Sequence, residues 1–238
     1  MGQALINSRL FHGGLDLSGH LNAMSLEYGA EMLDATTYGN TTRINAGGVK
    51  SLVVAHEGYW SAVPDAALFA GVGLGPVPVT ICPVDAADGA LAYLFQAVQS
   101  EYTPGAAHGE LLAFGVTMEG AGGTPLVRGL ILHPETAVDE SDDGTGRQLG
   151  AVVEGKSLYA ALHVLDASDN DTLDVEIESA SSGAFSSPTT RIAFAQATAK
   201  GSEWKSVAGP ITHTHYRVTF TIGGTAPSFS FIVAAGIF

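Results

Sequence analysis

Cysteine, charge and above all positive charge are scarce in this sequence. Cys82 is the single cysteine among 238 residues, so an intramolecular disulfide, and with it a disulfide scaffold, is excluded. It lies in the apolar run Val77 to Pro83, a setting for a buried, inert thiol. Charged residues make up 14% of the chain, against about 25% in an average soluble domain. Lys and Arg number 10 against 24 Asp and Glu, for a net charge of −14. A chain so short of positive charge does not grip nucleic acid by neutralising phosphates. It suits instead a passage through which DNA slides without sticking, or simply a surface kept soluble by repulsion. Long apolar runs are missing too. No stretch reaches the roughly 20 residues of a membrane span, so no membrane partner is expected.

Targeting and catalytic signatures are also missing. The opening MGQALINSRLFHGG has neither a charged start nor an apolar h-region, so no signal peptide is expected and assembly is placed in a cytoplasm. Met1-Gly2 begins like a myristoylation site, but Ile6 stands where Ser or Thr is needed. There is no Gly-x-Ser-x-Gly elbow, no Walker loop and no His-Glu-x-x-His. The closest histidine pair, His213-x-His215, would share one face of a strand. A zinc site needs about four ligands, and no others are evident nearby. The expectation is therefore no catalytic residue, no cofactor, no metal and no enzyme. A hydrolase would need convergent acid and base groups that eight scattered histidines do not supply.

Glycine is abundant, 30 of 238, and hydrophobic residues reach 46%. With frequent Ser, Thr and Ala, this favours a β-rich chain with many turns, or one whose surface is largely covered by copies of itself. The charge is uneven. Residues 1–140 hold 4 Lys/Arg against 14 Asp/Glu, and residues 141–238 hold 6 against 10.

The stretch Leu33 to Trp60, LDATTYGNTTRINAGGVKSLVVAHEGYW, organises the first half. A polar run from Asp34 to Gly48 separates two alternating segments, Asn22 to Leu33 and Val49 to Trp60, which read as strands. A connection of about 15 residues exceeds the usual 4–6 or so and points to function. Asp34, Thr36, Tyr38, Arg43 and Ile44 within it are candidate contacts to a neighbouring subunit, with Trp60 as a core plug or interface anchor. Met24, Leu26, Tyr28, Ala30 and Met32 are expected on the buried side of the first strand.

Residues 1–20 read as a weakly structured arm whose Leu5, Ile6, Leu10 and Phe11 need a partner surface. Pro64 to Val72 is the clearest helix, with Pro64 and Asp65 in its first turn, Gly71 and Gly73 stopping it, and Leu68 and Phe69 capping the sheet. Strands follow over 76–83, 91–102, 110–120 and 124–133. Pro134 to Gly146, with five acidic residues, reads as a linker. Strands over 148–153, 157–165, 172–179, 191–199, 214–222 and 228–237 indicate a sandwich or barrel. Trp204 and Phe185 are placed in loops, and Arg191 and Arg217 as outward charges or partners for an acidic loop.

DLSGHLN (Asp16 to Asn22), LDATTYGNTTR (Leu33 to Arg43), GGVKSLVVAHEGYW (Gly47 to Trp60), the PDAALFA helix and GGTPLVRG (Gly122 to Gly129) together resemble the tail-tube, or major tail, proteins of long-tailed bacteriophages. The resemblance covers about residues 15–133. It implies a mainly β fold: a tail-tube-like β-sandwich or barrel with one short helix (21–134) after the arm (1–20). An acidic linker (135–146) and a second β-sandwich (147–238) would follow. SSGAFSSPTTRIAF and the closing PSFSFIVAAGIF look like an accessory sandwich. The implied role is a structural virion protein that self-assembles into stacked rings, a conduit for DNA. Rings would be hexameric, or trimeric and pseudo-hexameric if both halves are tube-like. The implied partners are further copies, tape-measure, tail-tip or terminator proteins, and DNA as non-specific cargo. The alternative is a capsid-decoration protein or a carbohydrate-binding adhesin.

Overall fold

The computed structural model describes residues 6–238. Leu5 and the rest of the first five residues lie outside it. The chain is mainly β with a single α-helix among the described residues, and its named strand pairings are antiparallel. In chain order the elements are β1 (Arg9–His12), β2 (Leu15–Asp16), β3 (Leu21–Asp34), β4 (Asn45–Tyr59), α1 (Ala62–Gly71), β5 (Val77–Cys82), β6 (Leu91–Gly105), β7 (Ala113–Gly120) and β8 (Val127–Val138). The second half adds β9 (Asp142–Asp143), β10 (Arg147–Gln148), β11 (Ser157–Ala167), β12 (Thr172–Ala180), β13 (Thr189–Ala193), β14 (Gly201–Ala208), β15 (His215–Gly223) and β16 (Phe229–Ile237).

These elements form two compact units that do not follow the sequential division at 134 and 147. One, the hairpin unit, holds His20–Gly75 and Ala97–Leu126. The other, the sandwich unit, holds the described residues up to Gly19, Pro76–Gln96 and Val127–Phe238. The reason is topological. The first strands and β8 pair with sandwich strands: β8 runs alongside β16 from Gly129↔Gly236 to Val138↔Phe229.

In the sandwich unit a large sheet, β14-β11-β16-β8-β6-β5-β1-β2, faces a smaller one, β10-β15-β12-β13, with β9 also on β15. The clean alternation of β12 sends Leu173, Val175 and Ile177 inward and leaves the acidic residues between them partly wet. They meet Leu158, Leu162 and Val164 of β11 and Phe231, Val233 and Ala235 of β16. The near-continuous apolar runs of β11 and β16 have a different logic. Their other face also lies in a core, where Ala161, Leu165, Ile232 and Ala234 join Phe11, Cys82, Leu94 and Ile131. A strand covered on both faces loses the polar half of its alternation. Cys82 is buried as expected, and burial pushes its thiol up to about 12.

Several expectations give way here. The expected weak structure does not extend to residues 9–12: Leu10 and Phe11 sit in β1 and are fully buried in the chain's own core. Ile6 is exposed. The stretch 135–146 is partly strand, because Asp143 ion-pairs with Arg217 at 2.9 Å and Ser141 accepts the Ile222 N–H at 2.9 Å. Arg217 also pairs with Glu178 at 2.9 Å and lies 4.7 Å over Phe185, so it serves the acidic loop. Trp204 lies in β14, a strand whose sequence GSEWKSVA carries no strong apolar alternation. The strand expected at 191–199 ends at Ala193.

In the hairpin unit, β3-β4-β7-β6 form a four-stranded sheet. Its core is Leu52, Val54, Phe114, Val116, Met118 and Leu68. Gly58 is required where β4 meets the start of β3, because a Cβ there would lie 2.1 Å from the His20 carbonyl oxygen. Helix α1 docks on β6: Gln99 Nε2 donates to the Leu68 carbonyl at 2.8 Å, and Gly73 N–H to the Gln99 carbonyl at 2.9 Å. Leu68 is buried, but Phe69 faces solvent, so one side chain rather than two caps the sheet.

Candidate functional site

The connection expected to span 34–48 is shorter, because its last polar residues pair. Asn45, Ala46 and Gly47 lie opposite Asp34, Leu33 and Met32, so β3 and β4 form one long hairpin. Near its base β4 also pairs with β7, from Tyr59↔Ala113 to Val53↔Glu119. Beyond Val53 no third strand follows among the described residues, and the hairpin continues as a two-stranded ribbon. Nearly every residue of 27–34 and 45–51 is exposed there. Met32 is 69% exposed and Val49 79%, with Tyr28, Leu33 and Ile44 also exposed. The expectation that Tyr28, Ala30 and Met32 share a buried face is therefore corrected: alternation persists, but nothing in the described chain covers it. A free two-stranded ribbon is marginal in water, so one bearing apolar side chains on long strands calls for a partner.

The tip is built rather than slack. Asp34 Oδ1 accepts the Thr36 N–H at 3.0 Å, and Asp34 Oδ2 lies 3.3 Å from Arg43 Nε. The Thr36 hydroxyl, then its N–H, holds the Asp34 carboxyl below the usual carboxylate range. Thr36 Oγ1 accepts the Ile44 N–H at 2.9 Å, and the Ala35 N–H donates to the Ile44 carbonyl at 2.8 Å. Asn40 Nδ2 donates to Thr37 Oγ1 at 2.8 Å, closing the turn. Tyr38 stands fully in solvent. The structure thus brings Asp34, Thr36, Arg43 and Ile44 together and presents Tyr38 beyond them.

Trp60 does not join this group. It follows β4 at the end remote from the tip, its N–H bonded to the Leu112 carbonyl at 2.9 Å, and it is exposed rather than a core plug. It belongs with Asp65 and Tyr102, whose hydroxyl donates to Asp65 Oδ1 at 2.5 Å. That bond and a weaker one from Trp60 lower the Asp65 carboxyl. Tyr102 is raised to about 12 by burial and then by Asp65.

Sequence reading missed the sheet's two open margins. Among the described residues β3 pairs with β4 alone, so its outer edge is free of them along its length. At the opposite margin β6 pairs with β7 from Ala97 to Gly105. Its far side there carries one parallel bridge, Val72↔Gln99, and Ser100–Gly105 is largely exposed. Free edges leave no mark on side-chain pattern, so the sequence offered no signal for them.

His213 and His215 do not converge on a metal. His213 Nδ1 lies 3.0 Å from Ser179 Oγ, and His215 Nδ1 lies 3.0 Å from Thr214 Oγ1. Among the described residues no group of three or more His, Cys, Asp or Glu could hold a metal ion.

No protein-family model and no curated protein matches the chain. Among solved structures, a chain of the native gene transfer agent virion aligns over 51% of this chain and 95% of its own, with 19% identity and a TM-score of 0.41. The Dit hub protein of phage SPP1, whose hosts are Gram-positive, aligns over 97% and 99%, with 12% identity and a TM-score of 0.38. A chain from the tail of the empty gene transfer agent particle, resolved with C6 symmetry, aligns over 50% and 93%, with 17% identity and a TM-score of 0.38.

Proposed function

We propose that this protein is a structural subunit of a phage tail that closes into rings through its hairpin unit, the rings stacking as a tube. One observation carries the reading: a four-stranded sheet with β3 open at one margin, the end of β6 open at the other, and an uncovered apolar ribbon where β3 and β4 run on past the sheet. Open edges otherwise aggregate, and pairing β3 of one copy with β6 of the next satisfies both by a head-to-tail contact that rotation can close. Among the described residues each chain has one such sheet, which favours six copies over three pseudo-symmetric ones. The unit carries Arg43 and Lys50 as its only Lys or Arg against eight acidic residues, suited to DNA as passing cargo rather than ligand. The ordered tip with Tyr38 is the reach between stacked rings, because a preformed loop loses little freedom on docking. The sandwich unit, with its own core, decorates the ring. Tape-measure, tail-tip and terminator proteins are the further partners this role implies.

Negative-stain microscopy and light scattering of the purified full chain test the reading. Rings or tubes with a sixfold mass are expected. A monomer persisting at high concentration would overturn it, and a soluble trimer binding capsid or glycan would favour the decoration or adhesin alternative.

A further inference from the structure

In the sandwich unit, β1 and β2 form a small clip at the end of the large sheet. β1 covers the edge of β5, from His12↔Val79 to Arg9↔Cys82. The clip is fastened at two levels. On the outside Arg9 reaches Asp16 at 2.7 Å and also Glu135, while its Nε donates to Ser18 at 3.1 Å. On the inside the clip rests on His163.

Alternation along β11 sends Ala161, His163 and Leu165 to the same side, the face where Ala161 and Leu165 pack with Phe11, Cys82 and Ile232. A histidine thus occupies an apolar position. It is fully buried, with Nδ1 at 2.7 Å from the Gly13 carbonyl in the clip's turn and Nε2 at 2.8 Å from Thr80 Oγ1 on β5. A carbonyl can only accept, so Nδ1 bears the proton and Nε2 accepts from the Thr80 hydroxyl. The Phe11 ring lies 5.9 Å away. His12 on β1 is buried too, and its Nδ1 has no hydrogen-bond partner.

No anion is set against these rings. The cross-strand neighbours of His163 are Ser202 on β14 and Ile232 on β16. The charged groups of the surrounding elements are taken up with one another: Arg9 with Asp16 and Glu135, Lys205 with Glu203, Lys200 with Asp166. The titratable group that acts on His163 is His12, and it disfavours charge.

We propose that the β1–β2 clip is an acid-released latch: protonation of His163 and His12 lifts it off β5 and uncovers Cys82 while the rest of the sandwich stays folded. Burial pushes both imidazoles from 6.5 down to about 4. Their stabilisation of the closed clip is complete above the ordinary value near 6.5. It is lost progressively as pH falls towards 4, because the open clip binds protons first.

Cys82, the one thiol, reports the opening in the full-length protein. Its reaction with dithiodipyridine, normalised to free cysteine at each pH, is expected to rise below about pH 6, by about tenfold per pH unit for each histidine engaged. Far-UV circular dichroism should hold steady. A flat normalised rate down to about pH 4.5, or a rise only together with loss of the β signal, would overturn the latch. In His163→Gln only His12 remains to take up a proton, so the rise should flatten from about a hundredfold to about tenfold per pH unit. An unchanged steepness would show that His163 takes no part in the release and would overturn the latch. If that variant fails to fold, the wild-type profile alone still decides.

Discussion

Leu68 and Phe69 are neighbours on α1 with opposite surroundings: Leu68 is buried against the sheet, and Phe69 is 74% exposed. Leu68→Ala removes packed methyl groups from the hairpin unit and should cost about 2–5 kcal/mol in urea unfolding. Phe69→Ala should stay within about 0.5 kcal/mol in the monomer. Equal costs would show that the helix docks differently. Arg217 offers a second contrast. Its planar fork serves Glu178 and Asp143 together while stacking over Phe185. Arg217→Lys keeps the charge but cannot hold all three, so a measurable fall in thermal midpoint is expected. No fall would show that charge alone suffices there.

At the scale of elements, the β3–β4 hairpin divides into a base that folds the unit and a ribbon that does not. Val49→Ser with Met32→Ser removes only exposed apolar surface. The thermal midpoint should hold while ring formation falls, by light scattering. If assembly persists, the ribbon is not the contact surface. Removing the tip, Thr36 to Arg43, tests stacking separately. Closed rings should survive, tubes should not, and the β-rich dichroism should be unchanged.

Much of this hairpin was legible in the sequence. Alternation gave both strands, and the Asp/Thr/Gly/Asn composition gave the turn. Proline and glycine placed α1 within a residue or two, and β12 followed from its strict period. What stayed hidden has physical causes. Asn45–Gly48 looks like loop because glycines in a two-stranded ribbon need no packing partner. β14 was missed because Trp204 is flanked by Ser, Glu and Lys. The acidic stretch 135–146 is held by ion pairs with residues distant in sequence, such as Arg217. The open margins of the sheet, on which the candidate interface depends, are properties of backbone pairing and leave no side-chain trace.

For the whole molecule, charge sets a test of how copies meet. Every copy carries −14, so closing a ring brings like charges together and costs repulsion. The contacts proposed here are a backbone ladder between β3 and β6 and an apolar ribbon, and salt weakens neither. Added salt shortens the screening length from about 10 Å at 0.1 M to about 3 Å at 1 M, which removes repulsion first. Sulfate adds to this by favouring apolar burial. The assembled fraction, followed by analytical sedimentation, should therefore rise between about 0.05 and 0.5 M sodium chloride and rise further in sulfate. An interface held by ion pairs behaves in the opposite way. Rings that dissolve as salt is added would place the contact on Arg43, Lys50 and the acidic rows, and would sink edge pairing as the cause of assembly.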